Sequence, residues 1–149
     1  MITASAVASE EVIINAPVEV VWDILVDFEN YASWNRFCPQ AKAELKIGAP
    51  ISMMVDLGFG LQEQVEYICR IEPLQAIAWG MENKPDDPIK AVRTQTLTKL
   101  DDGRCAYNSV DDFSGPAVAE MMAAMAKGVE DGFNLCARCL KQYAESKAG

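Results

Sequence analysis

Hydrophobic positions recur along the chain with two different periods, and the change from one to the other divides it into parts. The first apolar run, Glu11 to Ile14, is short and β-prone. Pro17 then presets helical φ. Val18, Val21, Leu25 and Phe28 follow at spacings of three and four, with Trp22 and Ile24 alongside, which predicts an amphipathic helix of about three turns. The next stretch, "DFENYASWN", reads as a second, broken helical piece that carries Tyr31 and Trp34 in a connection. After Pro39 the period shortens to two. "AKAEL", "PISMMVDL", "QEQVEYICRIEP", "QAIAWGM", "KAVRTQTLTKL" and "RCAYNSVDDFS" are β-like runs separated by Gly, Pro or Asp-rich turns. Within the third, Val65, Tyr67, Cys69 and Ile71 alternate with Gln64, Glu66, Ile68 and Arg70. "DDG" predicts a tight hairpin. Consecutive strands with short turns predict an antiparallel meander. Past Gly115-Pro116 the period lengthens again. Val118, Met122, Met125, Val129, Phe133, Cys136 and Leu140 form one helical stripe. A helix of about 30 residues runs roughly 45 Å at 1.5 Å per residue, long enough to cross the whole sheet.

The 149 residues suit one domain, 1–149, with residues 1–9 expected to be disordered or loosely packed. Lys and Arg number 13 against 22 Asp and Glu, a net charge of −9. That balance argues against nucleic acid, which demands a basic patch, and against an anionic membrane surface. No apolar run is long enough to span a bilayer, and the opening segment lacks a basic n-region. A soluble, cytoplasmic monomer or homodimer is expected. The five cysteines are an odd count, which fits reduced thiols. Cys136 and Cys139 form a C-x-x-C inside a helical pattern rather than at a helix start, so they read as core or surface thiols. Histidine is absent. This removes histidine-based nucleophile systems and His-ligated metal sites. No glycine-rich nucleotide motif occurs, so neither cofactor nor metal is expected.

The order of elements, and three stretches in particular, resemble a known family. "INAPVEVVWDILVDFENYASWN", "LDDGRCAYNSVDDFSGP" and the long last helix are similar to the START-like, or SRPBCC, superfamily of polyketide cyclase/dehydrase and lipid-transport proteins. The resemblance spans about residues 10 to 145. It implies an α+β helix-grip fold: a strongly bent antiparallel sheet of about seven strands wrapped around the C-terminal helix, with two short helices after the first strand. It also implies a hydrophobic cavity between sheet and helix, with Tyr31 and Trp34 in the turn that caps its mouth.

Candidate residues follow from that cavity. Met122 and Met125 lie on the half of the last helix expected to face it, and Met54 lies on a strand. Flexible thioethers suit an irregular apolar ligand, although each fits equally as core filling. Tyr67, Trp79 and Phe113 fall on strands with one face inward, and Trp79 adds an N–H donor. Asp111 and Asp112 adjoin and point to opposite faces. If Phe113 faces in, so does Asp111, and a buried carboxyl with a raised pKa is a candidate general acid/base or ligand anchor. Arg93 on the neighbouring strand is its candidate partner, or the holder of a ligand carboxylate or enolate oxygen. A slip of one residue would invert both. The leading expectation is binding of a hydrophobic small molecule: a polyketide, sterol, lipid or aromatic metabolite. The alternatives are an aromatase/cyclase- or dehydratase-type enzyme using the same cavity, and a chaperone-like interaction module.

Overall fold

The computed structural model describes residues 1–148. The elements run β1 (Ala6–Ala8), β2 (Val12–Ile14), α1 (Val18–Leu25), a 3₁₀ turn (Phe28–Ser33), β3 (Gln40–Lys42), β4 (Pro50–Asp56), β5 (Leu61–Glu72), β6 (Ala76–Gly80), β7 (Lys90–Asp101), β8 (Arg104–Ser114) and α2 (Val118–Ala148). The eight strands form one open antiparallel sheet in the order β1-β8-β7-β6-β5-β4-β3, with β2 also on β8. This is the helix-grip arrangement. The sheet has one strand more than expected because the N-terminal segment contributes two. Residues 1–9 are not loose: Val7 is fully buried opposite Asp111, and the Met1 ammonium pairs with Glu130 at 2.6 Å.

Pro17 opens α1, and its carbonyl accepts from the Val20 and Val21 amides. Val18, Val21, Trp22 and Leu25 then bury one face of the helix. The broken piece that follows folds as the 3₁₀ turn. Tyr31 donates its hydroxyl to the Leu25 carbonyl and stacks edge-on against Phe28 and Trp34, with centroids 5.7 and 5.1 Å away.

Two features fix how α2 lies in the sheet. Its C-terminal half is pinned by polar contacts to the β1–β2 region. Asn134 accepts from the Glu10 amide at 2.7 Å, Arg138 pairs with Glu10 at 2.9 Å, and Lys141 donates to the Ile13 carbonyl at 2.6 Å. Further toward the N-terminus, two glycines one turn apart allow close approach. A Cβ on Gly132 would sit 2.4 Å from the Phe37 ring, and one on Gly128 would sit 2.3 Å from the Leu57 carbonyl. Phe37 and the β4–β5 turn therefore lie directly against the helix. Beside these contacts a cavity opens between the N-terminal half of α2 and the sheet.

Candidate functional site

The cavity has a volume of about 200 Å³. Most of its wall is apolar. α2 contributes Met121, Met125, Val129 and Phe133; β4 and its following turn contribute Met53, Val55 and Leu57; and Phe37, Trp79, Ala91 and Phe113 complete the floor. Against this wall stand three charged groups from three strands, Glu66 of β5, Arg93 of β7 and Asp111 of β8, with Gln64 near Glu66.

Register explains their convergence. Ile68, Trp79, Arg93 and Asp111 are successive cross-strand partners, so all four point to the same face. Glu66 lies two residues before Ile68 and shares that face.

Arg93 is only 7% exposed. Its Nε donates to Ser109 Oγ at 2.8 Å. The guanidinium carbon lies 4.2 Å from the centroid of Phe133, 5.6 Å from Phe37 and 5.8 Å from Trp79, so aromatic faces support the charge. Burial works against that charge. Tyr107, Cys136 and Asp111 outweigh it and hold the pKa above the ordinary guanidinium value. Beneath it, Tyr107 donates to Gln95 Oε1 at 2.7 Å, and both are buried.

The carboxyls are pushed toward their neutral forms. Burial raises Asp111 to about 7, with the Glu66 charge adding and Arg93 opposing. Burial likewise raises Glu66 to about 7 against the pull of Arg93. No direct ion pair joins Arg93 to either carboxyl among the described residues. Arg93 Nη2 and Asp111 Oδ1 are buried with no hydrogen-bond partner in the protein. Unpaired buried polar atoms are rare and costly, and both of these belong to residues that line one apolar space.

Of the residues singled out from the sequence, Arg93, Asp111, Trp79, Phe113 and Met125 line this cavity. Four do not. Trp34 is buried beside Tyr31 under the short helices and closes the core rather than a cavity mouth. Met54 points away, and its neighbour Met53 faces in. Met122 packs into the core, and Met121 takes the cavity position. Tyr67 lies on the opposite face of β5 from Glu66. Glu66 is the residue the sequence reading passed over. The apolar set Val65, Tyr67, Cys69 and Ile71 looked like the inner face. Glu66 and Ile68 alternate onto the inner face while Val65 and Cys69 are exposed, and the register shift with β6 begins only after Ile68. Ile68, set among polar residues, was the available signal. Cys136 and Cys139 are buried free thiols within α2.

A family model described as polyketide cyclase / dehydrase and lipid transport matches residues 5–145. The chain belongs to this family. No curated protein matches it in sequence. Among solved structures, the Zhui aromatase/cyclase from Streptomyces sp. R1128 is similar, with a TM-score of 0.75 and 18% identity over 97% of this chain and 95% of that one. A norcoclaurine synthase from Thalictrum flavum gives a TM-score of 0.70 at 10% identity, covering 97% and 96%. A START superfamily protein from Mycobacterium smegmatis gives 0.62 at 14% identity, covering 87% and 94%. At these identities the likeness is one of fold. This polyketide cyclase-family chain has, among its described residues, no helix long and apolar enough to cross a membrane.

Proposed function

We propose that the chain binds a hydrophobic small molecule in the cavity between sheet and α2, with the ligand's polar end at Glu66, Arg93 and Asp111. The observation that carries this reading is the convergence of Glu66, Arg93 and Asp111 on an otherwise apolar cavity, with Arg93 Nη2 and Asp111 Oδ1 buried and unpartnered. Affinity comes from apolar burial at about 25 cal/mol per Å², and the polar trio sets orientation. Size narrows the ligand. A cavity of about 200 Å³ is smaller than the usual 300–1,000 Å³ of ligand pockets and somewhat larger than the roughly 150 Å³ that accepts benzene. An aromatic metabolite of one or two rings fits this better than a sterol or an extended lipid.

Catalysis of the cyclase or dehydratase kind is favoured by a separate observation. Two carboxyls that titrate at about 7 are suited to give and take protons near neutral pH. Arg93 would hold a carbonyl oxygen and stabilise the enolate as a carboxylate removes a proton from the adjacent carbon. The aromatase/cyclase among the structural neighbours makes this chemistry compatible with the fold. The test is native mass spectrometry of protein purified from its own source, with extraction and identification of whatever is bound. A one-to-one adduct of a small aromatic compound is expected. An unliganded mass, with no shift on challenge with a panel of such compounds, would overturn the proposal.

A further inference from the structure

We infer that the polar end of the ligand is a protonated amine, held between Glu66 and Asp111, and that the cavity discriminates against carboxylates despite the presence of Arg93. The inference rests on the proposed binding function and adds the charge of the ligand to it.

Charge balance decides the sign. The titratable or charged groups that line the cavity are Glu66 from β5, Arg93 from β7 and Asp111 from β8. α2 and β4 present only apolar side chains to it. Around this trio, Tyr107 and Cys136 face Arg93 from beneath, and Asp112 acts on Asp111 from the outer face. With both carboxyls ionised the trio carries one net negative charge, because Arg93 offsets only one of them. A buried, uncompensated charge is expensive. It is relieved in one of two ways, by a proton on the carboxyl pair or by a ligand cation between them.

Arg93 is less available to an anion than its presence in a cavity first implies. Its Nε is committed to Ser109, its Nη2 is unpartnered but buried, and Phe37, Trp79 and Phe133 crowd its guanidinium. A carboxylate placed there would be a third negative charge beside two others. An ammonium instead supplies hydrogen-bond donors to the carboxyls of Asp111, whose Oδ1 has no partner, and Glu66. The aromatic and methionine wall takes the ring. The chain's net charge of −9 adds a weak, general attraction for cations.

Proton and ammonium compete for the same negative charge. Both carboxyls lie at about 7, so the pair gains protons below that pH and loses them above it. Amine affinity therefore strengthens as pH rises through 7, by about tenfold between pH 6 and pH 8 for displacement of one proton.

The experiment is calorimetric titration of the whole protein with three ring-matched compounds, 2-aminoindane, 2-indanol and indane-2-carboxylate, at pH 6 and pH 8. The result expected at pH 8 is amine tightest, alcohol weaker and carboxylate weakest, with only the amine gaining about tenfold from pH 6. Glu66→Gln and Asp111→Asn, each checked for a native circular dichroism spectrum, should bring amine and alcohol to similar affinity. Equal binding of all three compounds, or a preference for the carboxylate, overturns the amine inference and leaves the cavity function standing. If none of the three binds at either pH, the cavity function fails with it.

Discussion

Arg93 carries a full charge to a position 7% exposed, and the two carboxyls near it have no salt bridge to ease their burial. At the scale of single residues this fixes the pH dependence. A carboxyl whose folded pKa of about 7 exceeds its ordinary value holds a proton in the folded state that the unfolded chain has released. Stability from Glu66 and Asp111 is thus present at low pH and lost as pH rises from about 4 to about 7. Glu66→Gln removes the penalty of ionisation. We expect it to raise the melting temperature at pH 8, by on the order of 3 kcal/mol of stability as an upper bound, with the gain vanishing near pH 4. Calorimetric melting of both proteins across that range checks this. Arg93→Met should do the reverse. It leaves both carboxyls without their one compensating cation and costs about 3–5 kcal/mol at pH 8, with a smaller loss at pH 5 where they are protonated. Urea denaturation at the two pH values separates these losses.

At the scale of elements, two glycines of α2 matter as much as its apolar stripe. Gly128→Ala places a methyl group against the Leu57 carbonyl, which is backbone and cannot swing aside. We expect a loss of about 1–3 kcal/mol, although Ala is the better helix former by about 1 kcal/mol. Faster amide exchange in the β4–β5 turn should accompany it. The elements themselves were legible in the sequence: period two for the meander, three and four for the helices, and Pro17 at a helix start. The face of each element was less so. Met54, Tyr67 and Met122 were expected at the cavity, and in each case the preceding residue, Met53, Glu66 or Met121, lines it instead. On a strand, one residue is the whole difference between inside and outside. On a helix it is a rotation of about 100°. Which face Arg93 and Asp111 take was left open by the sequence; β7 and β8 pair without interruption there, so Arg93, Asp111 and Phe113 all reach the cavity. On β5 the regular alternation puts Glu66 and Ile68 inside and the more apolar set Val65, Tyr67 and Cys69 on the other face, so local hydrophobicity points to the wrong side.

At the scale of the molecule, the fold produces one apolar chamber from parts far apart in sequence. The C-terminal half of α2 is pinned to the β1–β2 connection and to β2, its N-terminal half covers a cavity, and the charged trio lies where three strands line that cavity. The N-terminal segment, read from composition as loose, belongs to this plan because Val7 backs Asp111 on the sheet. The central claim is that this chamber is the binding site. Met125→Trp tests it most directly, since Met125 projects into the chamber and is only half-buried. Isothermal titration of the wild type and this variant with 2-aminoindane at pH 8, beside their melting curves, is the measurement. The account predicts one-to-one binding to the wild type and loss of at least tenfold in the variant, with melting little changed. Equal affinity in both proteins would place the ligand elsewhere and contradict it.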